Sequence, residues 1–295
     1  MEGFVQQLIN GVSLGSIYAL IALGYTMVYG IINLINFAHG DVYMVGAYVG
    51  FYVTASMGLG FIPSLIISMV VCALLGIIIE KVAYKPIRKS SRIAALTTAI
   101  AVSLILEYGM MALVGAETRT FRDDLLPDHS ISLFGGNVVI DSKNIYIVLI
   151  TIILMVLLQF IVHKTKVGKS MRAVSQDKEA AELMGINSNK TISFTFAIGS
   201  ALAGAAGVLV GVYYNSINPL MGMAPGLKAF IAAVIGGIGI IPGAVFGGFF
   251  LGIIETFVSY AGSSTYKDAV AFLILIVVLI IKPSGLLGKN VKEKV

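Results

Sequence analysis

The chain opens with a long apolar run in which no residue between Glu2 and Asp41 carries a permanent charge. A helix needs about 20 apolar residues to cross the hydrocarbon core of a bilayer, so this run is long enough for at least one crossing. Similar runs follow, and 58% of the 295 residues are hydrophobic whereas 12% are charged. Soluble domains carry about 25% charged residues. We therefore expect a membrane protein, not a soluble enzyme or a nucleic-acid-binding protein.

The lengths of the apolar segments and the polar residues that separate them predict an all-α integral membrane protein. We expect a single transmembrane domain over residues 1–295 with eight or nine membrane helices. The pair around Pro242 is short and glycine-rich, so it could be a broken or re-entrant element. No basic region precedes the first run, so we expect that run to be retained rather than cleaved. The nine candidate spans lie near residues 5–30, 40–58, 61–80, 93–114, 145–163, 191–214, 227–241, 243–260 and 266–281.

The distribution of Lys and Arg predicts the orientation of these spans. Segment 80–92 holds five basic residues, segment 164–190 holds six and the tail from Lys282 holds four, whereas segment 115–144 holds three against five acids. Because basic loops stay in the cytoplasm, the first three should be cytoplasmic. Nine crossings then place the N-terminus outside and the C-terminus inside, and residues 115–144 form the main extracytoplasmic loop.

The first run ends in a polar stretch, NLINFAHGD at residues 33–41, which resembles NSINPLMG at residues 215–222. The two stretches follow predicted spans that run in opposite directions, which is the pattern of an inverted repeat with broken helices beside a transport path. Two interpretations of the first stretch remain open: it terminates a helix, or it lines a path or gate. The candidate path or gate residues are Asn33, Asn36, His39, Asp41, Asn215 and Asn218.

Four charged residues lie within or at the ends of apolar segments: Asp41, Glu107, Lys228 and Glu255. A charge in the middle of a membrane helix costs about 2.5–3.5 kcal/mol on insertion scales, so these side chains should face protein or water. Lys228 and Glu255 are expected to pair across two helices.

Small residues recur four apart in two segments and predict close helix packing. They are Gly199, Ala203, Gly207 and Gly211 in one segment and Gly239, Gly243 and Gly247 in the other.

The cytoplasmic segment 164–190 contains a predicted short helix from Ser175 to Met184, with Ser175 as its N-cap and Gly185 as its end. Ala180, Leu183 and Met184 would form an apolar face suited to a groove on a partner protein. A solvated linker with incidental helicity is the alternative.

Several motifs carry a resemblance to a known family. Glu179-Ala180-Ala181-x-x-x-Gly185 resembles the EAA loop of ABC importer permeases, whose short helix contacts the ATP-binding subunit. NLINFAHGDVYMVGAYVG, MRAVSQDKEAAELMGIN, FAIGSALAGAAGVLVG and KAFIAAVIGGIGIIPGAVFGGFFLG resemble, in order, the branched-chain amino-acid permeases and specifically their H-type subunit.

The resemblance implies a permease subunit that imports leucine, isoleucine and valine across the cytoplasmic membrane of a prokaryote. It also implies an M-type second permease chain, two ATP-binding subunits, an extracytoplasmic substrate-binding protein and surrounding membrane lipid as partners. The implied ATPase-coupling residues are Glu179, Ala180, Ala181, Leu183, Met184 and Gly185.

Two alternatives stay open at this point. Related permeases carry urea or short amides, and a self-sufficient secondary carrier or channel would also fit the repeat and the intramembrane charges. No catalytic motif or metal-ligating pattern is recognised in the sequence, and the lone Cys72 cannot form a disulfide within the chain. We therefore expect a non-catalytic subunit without a cofactor.

Overall fold

The computed structural model describes residues 2–88, 90–122, 125–127, 129–133 and 138–288, and this part of the chain is mainly helical. A π-helical turn, Glu80–Tyr84, joins α3 to α4, and the antiparallel strands β1 (Ser130–Leu133) and β2 (Val138–Asp141) lie between α5 and α6. The helices are α1 (Glu2–Ile32), α2 (His39–Ala55), α3 (Phe61–Ile79), α4 (Lys85–Ile87), α5 (Arg92–Val114), α6 (Ser142–Lys164), α7 (Lys166–Gln176), α8 (Lys178–Leu183), α9 (Ser188–Tyr214), α10 (Met223–Gly236), α11 (Ile241–Val258) and α12 (Lys267–Ile281).

Each of the nine predicted spans corresponds to a helix, which confirms the all-α membrane fold. Within the described residues, seven helices are long and apolar enough to cross a membrane. The other two are α2, with 17 residues, and α10, with 14. At 1.5 Å per residue they measure about 25 Å and 21 Å, less than a hydrocarbon core of about 30 Å.

Helices α10 and α11 form a tight antiparallel hairpin around Pro242. A Cβ on Gly243 would lie 2.5 Å from the Gly236 carbonyl oxygen, so the two backbones touch directly. Gly239, which the sequence pattern assigned to a packing face, instead lies in the connecting turn with φ 91°. Its positive φ is the left-handed conformation that glycine adopts without strain. Of the three glycines predicted to form this packing face, Gly243 and Gly247 lie in a helix and Gly239 does not.

Long helices pack in two corresponding antiparallel pairs. In the first pair, α1 lies against α11: a Cβ on Gly11 would be 2.8 Å from the Ile253 Cα, and one on Gly15 would be 2.7 Å from the Phe249 Cα. Contacts that advance along one helix while receding along the other define antiparallel packing.

The second pair is α3 with α9, in which Gly204 faces Cys72 and Gly76 faces Ser200. Taken together, α1–α2–α3 and α9–α10–α11 form two units with the same pairwise packing. Gly24 of α1 also crosses Gly199 of α9. This arrangement agrees with the repeat found in the sequence.

The loops and helix ends collect at two opposite ends of the bundle. At one, called the α7–α8 end, a recess is bounded by the last turns of α1 and α6, by α7 and by the α10–α11 turn. At the other, the hairpin end, Gln6 donates to the Val139 carbonyl oxygen at 3.0 Å and Arg119 pairs with Ile217. Arg88 of segment 80–92 donates to Asn189 Oδ1 at 2.9 Å, so the described parts of segments 80–92 and 164–190 lie together at the α7–α8 end.

The described part of the C-terminal tail also belongs to the α7–α8 end. Its amides satisfy carbonyl groups that are left free where α10 stops: Leu286 N–H donates to Ile235 O at 2.8 Å and Leu287 N–H to Gly236 O at 3.1 Å. The tail thus caps the C-terminus of α10 at the α7–α8 end.

Candidate functional site

Both polar stretches are helix breaks. Helix α1 ends at Ile32 and α2 begins at His39, while α9 ends at Tyr214 and α10 begins at Met223. Each break starts with an asparagine in the left-handed region, Asn33 with φ 52° and Asn215 with φ 50°; no other non-glycine residue in the described part has a positive φ. Asparagine tolerates this conformation better than most residues do. The predicted break between the first two helices is confirmed.

The two breaks bring the N-termini of α2 and α10 together. Gly40 and Gly222, which occupy equivalent positions in the two stretches, pack backbone to backbone. A Cβ on Gly222 would lie 2.6 Å from the Gly40 carbonyl oxygen and 2.6 Å from Asp41 Oδ1. A larger residue at either position would separate the two helix starts. The glycines are therefore required for close approach.

Asn36 and His39 are buried within the first break. Asn36 Oδ1 accepts a hydrogen bond from the Tyr84 hydroxyl at 2.9 Å. The His39 ring packs edge-on against Tyr25, with 4.8 Å between ring centroids, and fits the space above Gly24. Both side chains thus hold the break against α1 and the π-helical turn.

The other three asparagines have different surroundings. Asn33 is exposed and borders a recess of about 520 Å³ beside Tyr29 and Leu96. Asn218 Oδ1 accepts from the Leu220 N–H at 3.0 Å and so stabilises the turn that leads into α10. Asn215 is partly buried.

Asp41 lines a separate cavity of about 250 Å³ between α5 and the N-termini of α2 and α10. Its Oδ2 accepts a hydrogen bond from the Ser103 hydroxyl, and the Glu107 carboxylate lies close enough to interact with it electrostatically. Among the six candidate path residues, only Asp41 lines this cavity. Sequence spacing did not reveal Ser103, because only the packing of α5 brings it to Asp41.

The predicted pairing of Lys228 with Glu255 is confirmed. Lys228 Nζ lies 2.6 Å from Glu255 Oε1 and 2.7 Å from Asp268 Oδ1, and Lys267 Nζ lies 3.5 Å from Glu255 Oε1. The Tyr18 hydroxyl donates to Glu255 Oε2 at 2.8 Å. This network joins α1, α10, α11 and α12, so both charges within the helix bundle are compensated.

The polar segment at the α7–α8 end differs from the prediction in one respect. Ser175 is not an N-cap, because α7 continues through it to Gln176. Asp177 adopts the extended conformation instead, and its Oδ1 accepts from the Ala180 N–H at 2.9 Å, which makes it the N-cap of α8. Carboxylate caps are as effective as serine. The continuous predicted helix is therefore two helices.

Helix α8 is anchored on one side and exposed on the other. Ala181 is buried, and its carbonyl oxygen accepts from the Ile186 N–H at 3.0 Å. Leu183 and Met184 are 89% and 83% exposed. Gly185 follows with φ 81° and ends the helix as predicted. Two large apolar side chains at a helix end are thus presented to the outside.

A polar network connects the start of α9 with the π-helical turn. Glu80 forms an ion pair with Arg88 and accepts from the Ser193 hydroxyl, and Arg88 also donates to Asn189 Oδ1 at 2.9 Å. Burial lowers the pKa of the Arg88 guanidinium. The same turn carries Tyr84, which reaches the first break. The start of α9 is therefore linked to the break through the backbone of this turn and the side-chain contacts at its two ends.

The structure has long helices in two inverted units, two short helices that meet at their N-termini, and an exposed helix at one end. This combination defines a multi-pass membrane transport protein. The comparisons with known proteins agree. The family model described as branched-chain amino acid transport system / permease component matches residues 7–279. The chain belongs to this family.

Two relatives cover nearly the whole chain. The high-affinity branched-chain amino acid transport system permease protein LivH of Salmonella typhimurium is 44% identical over 99% of this chain and 98% of its own. The corresponding permease protein BraD of Pseudomonas aeruginosa is also 44% identical, with the same coverage.

A solved structure shares the fold. It is titled PsaBC from Streptococcus pneumoniae in complex with Fab, and its matching chain has a TM-score of 0.50 and 15% identity over 95% of this chain and 92% of that chain.

Proposed function

We propose that this chain is the membrane-spanning permease subunit of an ATP-driven importer for leucine, isoleucine and valine in a prokaryotic cytoplasmic membrane. The observation that carries the proposal is 44% identity, over almost the full length, to relatives named as high-affinity branched-chain amino acid permease proteins. The paired helix breaks support it, because discontinuous helices are typical of substrate paths in transporters.

The proposed complex contains an M-type permease chain, two ATP-binding subunits and an extracytoplasmic substrate-binding protein. In it, ATP is hydrolysed by the partner subunits and not by this chain. Membership of the family supports this composition.

Residues Glu179–Gly185 are proposed to dock on an ATP-binding subunit. Leu183 and Met184 would enter an apolar groove on that subunit, while the buried Ala181 ties the helix to the membrane domain. Glu179 and Ala180 lie on the exposed part of the same helix. The contacts from Asn189 to Arg88 and Glu80, and from Tyr84 of the same π-helical turn to Asn36, give docking a physical connection to the first break.

The proposed orientation places the N-terminus outside, residues 115–144 as the extracytoplasmic loop, and residues 164–190 as the cytoplasmic coupling loop. The excess of Lys and Arg at the α7–α8 end supports it.

The transport path is proposed to pass the two breaks, with Asp41 and Asn33 facing cavities. Asn36 and His39 would hold the first break in place, and Asn215 and Asn218 would shape the second. Under this proposal residues 33–41 both terminate a helix and act as a gate, because movement of the first break would change access to the cavity beside Asp41.

Uptake by the reconstituted complex tests the function. The chain is co-expressed with the partner subunits encoded in its own genome, placed in vesicles, and supplied with ATP and labelled leucine, valine, urea or acetamide. We expect ATP-dependent uptake of the two amino acids only. Uptake of urea or acetamide instead would favour the amide permeases, and uptake by this chain alone without ATP would favour a secondary carrier.

A substitution at Gly185 tests the coupling assignment. Gly185→Val forces a branched side chain into a left-handed conformation and should uncouple ATP hydrolysis from uptake. Gly58→Val is the matched control, because Gly58 also has a positive φ, 65°, but lies in the α2–α3 connection. Unaltered coupling in Gly185→Val, measured as leucine transported per ATP, would contradict the assignment.

A further inference from the structure

The cavity beside Asp41 has chemically distinct walls. One wall is acidic and is formed by Asp41, Ser103 and Glu107. A second wall is the N-terminus of α10. The remaining wall is apolar and is formed by Phe37, Leu96, Ile100, Leu104 and Leu227.

The acidic wall lacks a cation. Asp41 is 2% exposed and Glu107 is 7% exposed, and no Lys, Arg or His is among the described residues that line the cavity. Asp41 Oδ2 is bonded to Ser103, and Oδ1 is buried beside Gly222 with no hydrogen bond that meets the geometric criteria among the described residues. The Glu107 side chain lies within hydrogen-bonding reach of the Asp41 carboxyl group. A buried carboxylate with an unfilled acceptor is costly. An ammonium group supplies both a positive charge and three donors.

The N-terminus of α10 offers complementary chemistry. Its N-cap, Gly222, has no side chain to accept the first N–H groups, and Met223 at the start of the helix lines the cavity. The first N–H groups of a helix have no partner within the helix, and the positive end of its dipole attracts an anion such as a carboxylate.

The size of the cavity fits a small solute. Pockets for drug-sized ligands measure about 300–1,000 Å³, so a cavity of about 250 Å³ suits a single small molecule. Branched aliphatic side chains on α5 form its apolar side.

We propose that this cavity binds one free branched-chain α-amino acid as a zwitterion. Its ammonium group binds Asp41 Oδ1 and Glu107, its carboxylate faces the N-terminus of α10, and its side chain packs against Ile100, Leu104 and Leu227. The inference rests on the proposed function for the identity of the amino acid. It adds a defined binding site within the permease chain.

Photo-crosslinking with a diazirine analogue of leucine tests the site directly. The intact complex in lipid nanodiscs is irradiated with the analogue, digested and examined by mass spectrometry. We expect label within residues 96–107 or 222–227, displaced by excess leucine but not by 4-methylpentanoate, which lacks the ammonium group. Asp41→Asn should reduce labelling about tenfold, since the negative charge that faces the ammonium group is lost and the remaining hydrogen bond is weaker.

Two further variants keep the test decisive. Glu117→Gln removes an exposed carboxylate at the hairpin end and should label as the parent protein does. Leu104→Trp fills the cavity without altering its charges and should also abolish labelling, which matters if Asp41→Asn does not assemble. Label elsewhere, label unaffected by both cavity variants, or displacement of leucine by sodium ions alone would overturn the proposal.

The crosslinking and transport experiments distinguish an error in the proposed site from an error in the proposed function. If the cavity is labelled but the complex imports no leucine, the site stands and the proposed function is wrong. If leucine is imported but the cavity is not labelled, the function stands and the site is wrong.

Discussion

Single glycine residues set the distance between α1 and α11. A Cβ on Gly248 would lie 2.5 Å from the Ala19 backbone nitrogen, closer than real side chains approach. Gly248→Ala is therefore expected to force the helices apart and to lower the unfolding temperature of the detergent-solubilised protein. Overpacking of this kind costs about 1–3 kcal/mol.

Gly109 provides the matched control for this substitution. It lies within α5, and among the described residues no atom of a neighbouring element lies within 4 Å of the position that an added methyl group would take. Gly109→Ala should leave the unfolding temperature unchanged or raise it, because alanine favours a helix by about 1 kcal/mol over glycine. Equal unfolding temperatures for both variants would contradict the assigned packing of α1 and α11.

Asn36 and Tyr84 are expected to be energetically coupled. Asn36→Leu leaves the buried Tyr84 hydroxyl without its acceptor, which should destabilise the protein by about 1–3 kcal/mol. Tyr84→Phe removes the hydroxyl that donates this hydrogen bond. The double variant should therefore lose less stability than the sum of the two single variants, measured by thermal unfolding. Strict additivity would show that the hydrogen bond does not form.

At the level of elements, the sequence predicted the nine apolar helices because each of them follows from apolar length, whereas the polar helix α7 was not predicted. The breaks were also predictable, since Asn33 and Asn215 interrupt apolar runs and asparagine tolerates the left-handed conformation. The N-cap of α8 was assigned to Ser175 and is Asp177 instead, because two neighbouring residues could both cap and the local pattern does not choose between them. The acidic cavity depends on α5 packing, which leaves no periodic signal.

The ion-pair network between α10, α11 and α12 should respond differently to single and double substitution. Glu255→Leu leaves the buried Lys228 with Asp268 as its one acidic partner among the described residues, and loss of one partner of a buried pair costs about 3–5 kcal/mol. Combining it with Lys228→Met removes both charges and should recover much of the lost stability. Thermal unfolding of the two variants gives the comparison.

Asp268→Asn is the control for that experiment. The Asp268 side chain is 56% exposed, so its pairing with Lys228 is weakened by solvent and the substitution should change stability little. A double variant as unstable as Glu255→Leu alone would show that the site needs its charges for more than mutual compensation.

At the scale of the whole molecule, the inverted arrangement explains why α2 and α10 can be shorter than the thickness of the membrane. Helices α1 and α9 run in opposite directions, so the chain leaves them at opposite ends and returns inward through each break. The starts of α2 and α10 then meet at Gly40 and Gly222, inside the bundle. A cavity bounded by two helix N-termini is a direct result of this symmetry.

The same arrangement predicts which surfaces face each side of the membrane. Cys72 is fully buried, so an impermeant maleimide should not label the parent protein. In a Cys72→Ala background, Glu117→Cys at the hairpin end should be labelled on intact cells. Met184→Cys should be labelled only in inverted vesicles, prepared from cells without the ATP-binding subunits that are proposed to cover this residue. Both native side chains are more than 80% exposed, so access to the thiol depends on the side of the membrane. Labelling of Met184→Cys on intact cells would contradict the proposed orientation, because one membrane helix among the described residues, α6, separates the two labelled positions along the chain.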